Sequence, residues 1–153
     1  MIFTGQYSAT TENPIVIFLI GIRINNLWGI HKWMPFVFRI FMLRKHLKNN
    51  NQTSLLNTKT WFSWREIMLV QYWDSLESLE KFAHSKLEPH LESWREYNMQ
   101  IGKNGSLGVW HETYFIDKKH FECIYHNMPR TGLALATMHC KSSDILDRTN
   151  FKI

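Results

Sequence analysis

The stretch GVWHETYF, Gly108 to Phe115, places two titratable side chains side by side in an otherwise apolar and aromatic segment. Imidazoles and carboxylates are the groups that most often act as general bases. The segment alternates like a β-strand, in which successive side chains point to opposite faces. One predicted face carries Val109, His111, Thr113 and Phe115, and the other carries Trp110, Glu112, Tyr114 and Ile116. His111 and Glu112 are therefore alternative catalytic candidates, and we expect the Glu112 face to line a cavity.

Metal and nucleophile chemistry lack the residue spacing that they need. A zinc-binding HExxH motif requires two histidines on one helical face, but the residues after His111-Glu112 are Thr113, Tyr114 and Phe115. The eight histidines show no zinc spacing, and the chain contains neither a GxSxG nor a CxxC motif. The glycine-rich run GKNGSLG follows a predicted helix and precedes a strand, the reverse of a dinucleotide fingerprint. We therefore predict no metal site.

A second charged candidate lies on the first buried strand, IVIFLIGIRI, Ile15 to Ile24. Its even positions are entirely apolar, whereas its odd positions include Gly21 and Arg23. This composition suggests that the odd face borders a cavity or a partner. If Arg23 and Glu112 both line that cavity, they form an ion pair or bind an acidic substrate and take its proton. The structural alternative is an ion pair that only holds a dimer together.

The composition bounds the class of protein. The chain has 153 residues, of which 44% are hydrophobic and 20% charged, and this suits one globular domain. The two cysteines fit a reducing compartment, and the longest apolar run is far below the roughly 20 residues of a membrane span. No signal peptide is predicted, so we expect a cytoplasmic protein. The net charge of +5 is concentrated in RIFMLRKHLK, which is typical of a solvated helix face.

The predicted elements follow the order β-α-β-β-α-β with a C-terminal extension, which is the ferredoxin-like α+β arrangement. Residues 1–13 form an N-terminal segment, 14–140 the single domain and 141–153 a polar tail. Helices cover only one face of such an antiparallel sheet. Because the strands lack a polar face, we expect a homodimer in which the two sheets face each other.

Five stretches together resemble a known family: FLIGIRINNLWGIHKW, LVQYWDSLESLEKFA, HLESWREYN, GVWHETY and NMPRTGL. They are similar to the monooxygenase-like family catalogued as domain of unknown function 4188, over roughly residues 14–138. That family belongs to the dimeric α+β barrel superfamily, with the antibiotic-biosynthesis and haem-degrading monooxygenases. The resemblance implies a dimeric α+β barrel whose sheet lines an aromatic cavity.

The resemblance also implies a mechanism and a set of site residues. Cofactor-independent monooxygenases of the superfamily deprotonate an electron-rich aromatic or enolisable substrate, and the carbanion then reduces oxygen. His111 or Glu112 would be the base, and Trp28, Trp73 and Trp110 would form an aromatic cage. Anion stabilisers and further family-like substrate-binding positions would be Arg23, Asn25, Tyr114, His90 and Asn127.

Three alternatives compete with this interpretation. Haem is one, with His90, His111 or His84 as axial ligand. A non-catalytic ligand-binding or structural dimer is another, in which the aromatic side chains only pack. Nucleic-acid binding is disfavoured, because the basic helix has few aromatic residues on its polar face and the chain lacks an RNP-like motif.

Overall fold

The computed structural model describes residues 1–49, 54–84, 105–117 and 120–144, which form an α+β fold with two antiparallel sheets. The elements in chain order are β1 (Phe3–Thr10), β2 (Ile15–Ile24), α1 (Ile30–Asn49), β3 (Leu55–Phe62), β4 (Glu66–Trp73), α2 (Leu76–His84), β5 (Leu107–Ile116), β6 (Tyr125–Met128), α3 (Leu133–Ala136) and β7 (Met138–Lys141), followed by a 3-10 turn at Ser142–Asp144.

The larger sheet has the strand order β3-β4-β2-β5. Its first and third strands in the chain, β2 and β4, lie in the middle and pair antiparallel from Val16↔Trp73 to Arg23↔Glu66. β5 pairs with the other edge of β2 along its whole length. This is the strand arrangement of the ferredoxin-like fold, so the α+β prediction is confirmed.

Both α1 and α2 pack against the same face of this sheet. Near one end, Phe36 of α1 is buried with Ile22 and Ile24. Near the other end, Leu79 of α2 is buried with Val16 and Trp73. Val16, Ile22 and Ile24 lie on the even-numbered face of β2, which is the fully apolar face in the sequence, and Trp73 of β4 pairs with Val16.

The opposite face of the larger sheet is divided. At one end, α3 and the smaller sheet cover Ile15 and Tyr72 in a cluster that includes Ala9 and Leu133. The remainder, which we call the open face, is formed by Leu19, Gly21, Arg23, Trp61, Glu66, Met68, Trp110, Glu112 and Tyr114. The open face presents aromatic and charged side chains, in contrast to the helix-covered face.

The smaller sheet, in the order β6-β1-β7, is a feature that the sequence did not predict. Its central strand β1 comes from residues 1–13, the predicted N-terminal segment. Apolar residues do alternate there, at Phe3, Tyr7 and Ala9, but the polar residues between them concealed the period. Ala9 faces the core and is buried.

One predicted element limit shifts. The sequence predicts a loop from Asn25 to Trp33 and then a helix with Pro35 in its first turn, but the helix begins at Ile30, where the Gly29 carbonyl accepts hydrogen bonds from the N–H groups of Lys32 and Trp33 at 2.8 and 3.4 Å. Pro35 consequently lies in the second turn and not in the first. Among the described residues, no helix has the length and apolar character to cross a membrane.

Candidate functional site

The register of β5 settles how its two candidate bases are oriented. Trp110 lies opposite Gly21 and Glu112 lies opposite Leu19, which places both on the open face. His111 lies opposite Ile20 on the helix-covered face, where its ring centroid is 5.8 Å from that of Phe18. The predicted separation of His111 from Glu112 is confirmed, and they are not a dyad.

Trp110 crosses directly over Gly21 at the centre of the open face. A Cβ atom built on Gly21 would lie 2.5 Å from Cε2, 2.6 Å from Nε1 and 2.7 Å from Cζ2 of the indole. Real side chains do not approach so closely, so only glycine at position 21 allows this indole position. The glycine in FLIGIRI therefore serves a side chain of the neighbouring strand.

Glu112 and Tyr114 form a hydrogen-bonded pair beside this contact. The Tyr114 hydroxyl donates to Oε2 of Glu112 at 2.6 Å. This hydrogen bond raises the pKa of Tyr114, and the negative charge of Glu112 adds to the effect. Both side chains are exposed in the single chain. A carboxylate that accepts from a neutral phenol remains available as a base.

Arg23 has a different partner from the one we considered. Its Nη1 donates to Oε1 of Glu66 at 2.9 Å, whereas Glu112 lies opposite a residue four positions back along β2. The Arg23–Glu66 pair is exposed, and it occupies the far end of the open face. Within one chain, Arg23 and Glu112 therefore flank the Trp110–Gly21 contact instead of pairing.

The predicted aromatic cage is not formed. Trp73 is only 1% exposed and lies in the core under α2, where its Nε1 donates to Gln71 Oε1 at 3.0 Å. Trp28 follows β2 and is 94% exposed. Of these three tryptophans, only Trp110 lies on the open face. Trp28 belongs to a loop, and Trp73 lies on the helix-covered face of the same sheet.

The remaining predicted site residues lie away from the open face or outside the described residues. Asn25 uses its side-chain amide to donate to the Gly105 carbonyl at 3.0 Å, which joins the end of β2 to the start of β5. Asn127, with a φ of 52°, accepts a hydrogen bond from the Gly5 N–H at 2.8 Å in the smaller sheet. His90 lies outside the described residues. These contacts give Asn25 and Asn127 structural roles.

A buried phenol, Tyr72, and a half-buried phenol, Tyr125, lie under α3 and were not among the predicted site residues. The Tyr125 hydroxyl accepts from the Ala134 N–H at 3.3 Å, and burial, followed by the nearby Cys123, raises the pKa of Tyr125 to about 12. Burial likewise raises the pKa of Tyr72. Lys59 holds the preceding loop, with Nζ 2.8 Å from Thr131 Oγ1. This cluster closes one end of the open face.

The helix-covered face holds a second group that was missed. Thr58 and Thr60 of β3 bury their hydroxyls, and no partner for either is found in the described part of the chain. Thr58 is in register with Gln71 and Thr60 with Leu69. Alternating threonines in LLNTKTWF were the available signal.

Metal and haem sites depend on clustered ligands. Among residues 1–49, 54–84, 105–117 and 120–144, no three histidine, cysteine or acidic side chains gather where they could hold a metal ion. His84 ends α2 and His111 lies on β5. The predicted absence of a metal and the haem alternative both stay predictions.

Comparison with known proteins gives matches to monooxygenases. The family model described as monooxygenase af470-like matches residues 15–133, well over half of the chain. The curated relative Monooxygenase af470 of Aspergillus fumigatus is 28% identical over 126 residues, which cover 76% of this chain and 44% of the relative. The chain thus spans less than half of that relative's length. A crystal structure of protein SO0527 from Shewanella oneidensis is similar with a TM-score of 0.44 and 11% identity, over 76% of this chain and 95% of that one.

Proposed function

Because this chain belongs to the monooxygenase af470-like family, we propose that it is a cofactor-independent monooxygenase acting on a small aromatic or lipophilic substrate. The observation that carries the proposal is the Glu112–Tyr114 pair, 2.6 Å apart, beside Trp110 on the open face. A base, an aromatic surface and a phenolic donor are what this chemistry asks of the protein.

In the proposed reaction, Glu112 removes the acidic C–H proton of an activated ring CH₂ group. The resulting carbanion gives an electron to dioxygen, and the two radicals combine to a peroxide anion, which takes the proton back from Glu112 to give a hydroperoxide. Loss of water from the hydroperoxide leaves a carbonyl, so that one CH₂ group and one O₂ yield one C=O group and one water. Once Glu112 has taken the proton, the single O–H of Tyr114 is released from the carboxylate and donates to the oxyanion, which stabilises that charge best away from water.

Exclusion of water requires a cover for the open face, and we propose that a second copy of the chain supplies it. The face exposes large side chains, including Trp61 at 51% and Tyr114 at 49%. Soluble monomers seldom expose a contiguous patch of this kind. Because a two-fold axis brings the same patch of both copies together, one interface would close two equivalent cavities.

A pair of adjacent variants tests the base. Glu112→Gln keeps the size and hydrogen bonding of the side chain but removes its basicity, and we expect oxygen consumption with dihydroxyanthrone substrates to fall at least about a hundredfold. His111→Asn changes the neighbouring residue on the opposite face and should retain most of the activity. Absence of oxygen uptake by the wild-type protein would refute the function. Loss of uptake in His111→Asn but not in Glu112→Gln would place the base on the other face.

We also propose a cytoplasmic location. Cys123 and Cys140 are both free thiols, as expected in a reducing compartment. Microscopy of the full-length protein fused to a fluorescent marker tests this, and a secreted or organellar signal would contradict it.

A further inference from the structure

We propose that the open face binds a flat, neutral, fused-ring hydroxyaromatic ligand against Trp110, and that Gly21 determines this specificity by fixing where the indole lies. The inference rests on the proposed function in taking the open face as the wall of the substrate cavity. It adds the shape, charge and orientation of the ligand, and a specificity-determining residue with no functional group of its own.

The position of the indole is the first step. The closest atoms of Trp110 to a Cβ on Gly21 are three contiguous ring atoms, all within 2.7 Å. Any side chain at position 21 would therefore push the indole off the sheet. With glycine there, Trp110 lies low over β2 and is only partly exposed. The ring's other side then adds a broad apolar surface to that of Leu19 and Met68, which flank Gly21 on β2 and β4.

The limits of the free area give the size of the ligand. Along β2 the area extends from Leu19 to Arg23, about 13 Å at the usual rise per residue, since Ile17 packs with the cluster under α3. Across β4, β2 and β5 it spans two strand spacings, about 10 Å. An area of this shape fits two or three fused six-membered rings in one plane, whereas a folded or branched ligand of equal mass would protrude from it.

The charges at the two ends give the polarity and orientation. Arg23 is already neutralised by Glu66 at 2.9 Å. At the other end the Lys59 ammonium is engaged with Thr131 Oγ1 at 2.8 Å and with the Trp61 ring, so neither end offers a cation without a partner to an acidic ligand. Glu112, two residues from Trp110 on β5, is an acceptor and repels anions. The ligand is therefore neutral, and its proton-donating edge faces Glu112: the activated CH₂ group in the proposed reaction, and a hydroxyl in a simple hydroxyaromatic ligand.

Binding assays separate this inference from the proposed reaction. Equilibrium dialysis measures the affinity of the purified wild-type protein for 1-naphthol and for its saturated, non-planar counterpart decahydro-1-naphthol. We expect 1-naphthol to bind at least about tenfold more tightly, as stacking on an aromatic surface adds to area burial. Equal affinities would overturn the proposal even if oxygen uptake is observed. Selective binding without oxygen uptake would support the inference and refute only the reaction.

The chain supplies a matched control for Gly21. Gly108 also lies on the open-face side of the sheet, on β5, but a Cβ there would meet its nearest atom, Asn25 Nδ2, at an ordinary 3.6 Å. Gly21→Ala should weaken 1-naphthol binding about tenfold, whereas Gly108→Ala should stay within about twofold of wild type. An equal effect of the two substitutions would contradict a specific role for Gly21.

A double-mutant cycle shows whether Gly21 acts through Trp110, and it remains informative if Gly21→Ala alone is unstable. Trp110→Ala removes the indole and leaves room for the alanine methyl group. In that background we expect Gly21→Ala to change neither the 1-naphthol affinity nor the unfolding midpoint by a measurable amount. Additive losses in the two variants would mean that Gly21 does not work by positioning the indole, and the proposal would fail.

Discussion

Two buried threonine hydroxyls on the helix-covered face lower the stability of the folded protein, and a single substitution can measure this effect. Thr60 Oγ1 is buried, and no partner for it is found in the described residues. A buried hydroxyl without a hydrogen bond has lost its water and gained nothing in return. Thr60→Val keeps the shape and removes the hydroxyl, so we expect the free energy of unfolding to rise by about 1 kcal/mol.

Chemical denaturation of Thr60→Val measures that change. Thr10→Val, on β1 of the smaller sheet, is a control at a threonine that does not share the buried, unpaired state of Thr60. A Thr60→Val protein less stable than wild type would show that the hydroxyl has a partner, such as a bound water.

The phenol of Tyr125 makes stability depend on pH at the alkaline end. Its pKa is about 12 in the folded chain, above the value near 10 of a free phenol, chiefly because of burial. A raised pKa means that the unfolded chain loses the proton first. This group's contribution to stability is therefore complete below about pH 10 and is lost between about pH 10 and 12.

Spectrophotometric titration of phenolate absorbance checks that assignment. The wild-type protein should show a late-ionising phenol that is missing in Tyr125→Phe. The variant should also lose less stability than wild type over the same alkaline range. A Tyr125→Phe curve that loses absorbance near pH 10 instead of near pH 12 would contradict the raised pKa.

At the level of the element, the start of α2 depends on Ser75. The sequence predicts a capping box formed by Asp74 and Glu77, but the Ser75 hydroxyl instead accepts from the Ser78 N–H at 3.2 Å. Burial works to raise the pKa of Asp74, but hydrogen bonds from the hydroxyls of Ser78, Ser75 and Ser54 outweigh it and leave that pKa lowered. The cap has moved by one residue because Asp74 is engaged with these hydroxyls.

Ser75→Ala should therefore destabilise the protein by about 1 kcal/mol, the usual effect of losing an N-cap. Thermal or urea unfolding measures it. Glu77→Ala, which would break the predicted capping box, is the comparison and should have the smaller effect. A larger loss of stability in the Glu77 variant than in Ser75→Ala would show that the predicted Asp74–Glu77 capping box caps the helix.

The strands show what a sequence can and cannot supply. The period of two in GVWHETYF was sufficient to separate His111 from Glu112, because alternation is a local property of the backbone. The partner of Arg23 was not predictable in this way, since the choice between Glu66 and Glu112 depends on the register of two other strands. Trp73 was assigned to the cavity for its residue type, although its neighbours place it on the covered face.

At the level of the whole molecule, a substitution on the open face should dissociate the proposed dimer. Trp61 lies on β3 beside the area assigned to the ligand and is exposed in the single chain, and Trp61→Lys would bury a charge in each copy of the interface. We expect the wild-type protein to sediment as a dimer and the variant to dissociate with a Kd at least about a hundredfold higher.

Phe38→Lys provides the control for this experiment. Phe38 is an exposed apolar side chain on α1, and the substitution adds the same charge away from the open face. It should leave the dimer intact. A wild-type protein that remains monomeric at high concentration would refute the proposed cover, as would a Phe38→Lys variant that dissociates as readily as Trp61→Lys.

The position of β1 between β6 and β7 has a consequence for how the chain reaches its structure. Phe3 pairs with Met128, and Tyr7 pairs with both Tyr125 and Lys141, so β1 leaves the ribosome well before either of its partner strands and must wait for them. Contacts this distant in sequence close slowly, because a long loop must be ordered before they form. Until then Ile15 and Tyr72 lack the cover that Ala9 and Leu133 give them. A nascent chain would therefore expose an apolar patch at one end of its larger sheet until β7 emerges. Chaperones would have to bind and shield that patch until then.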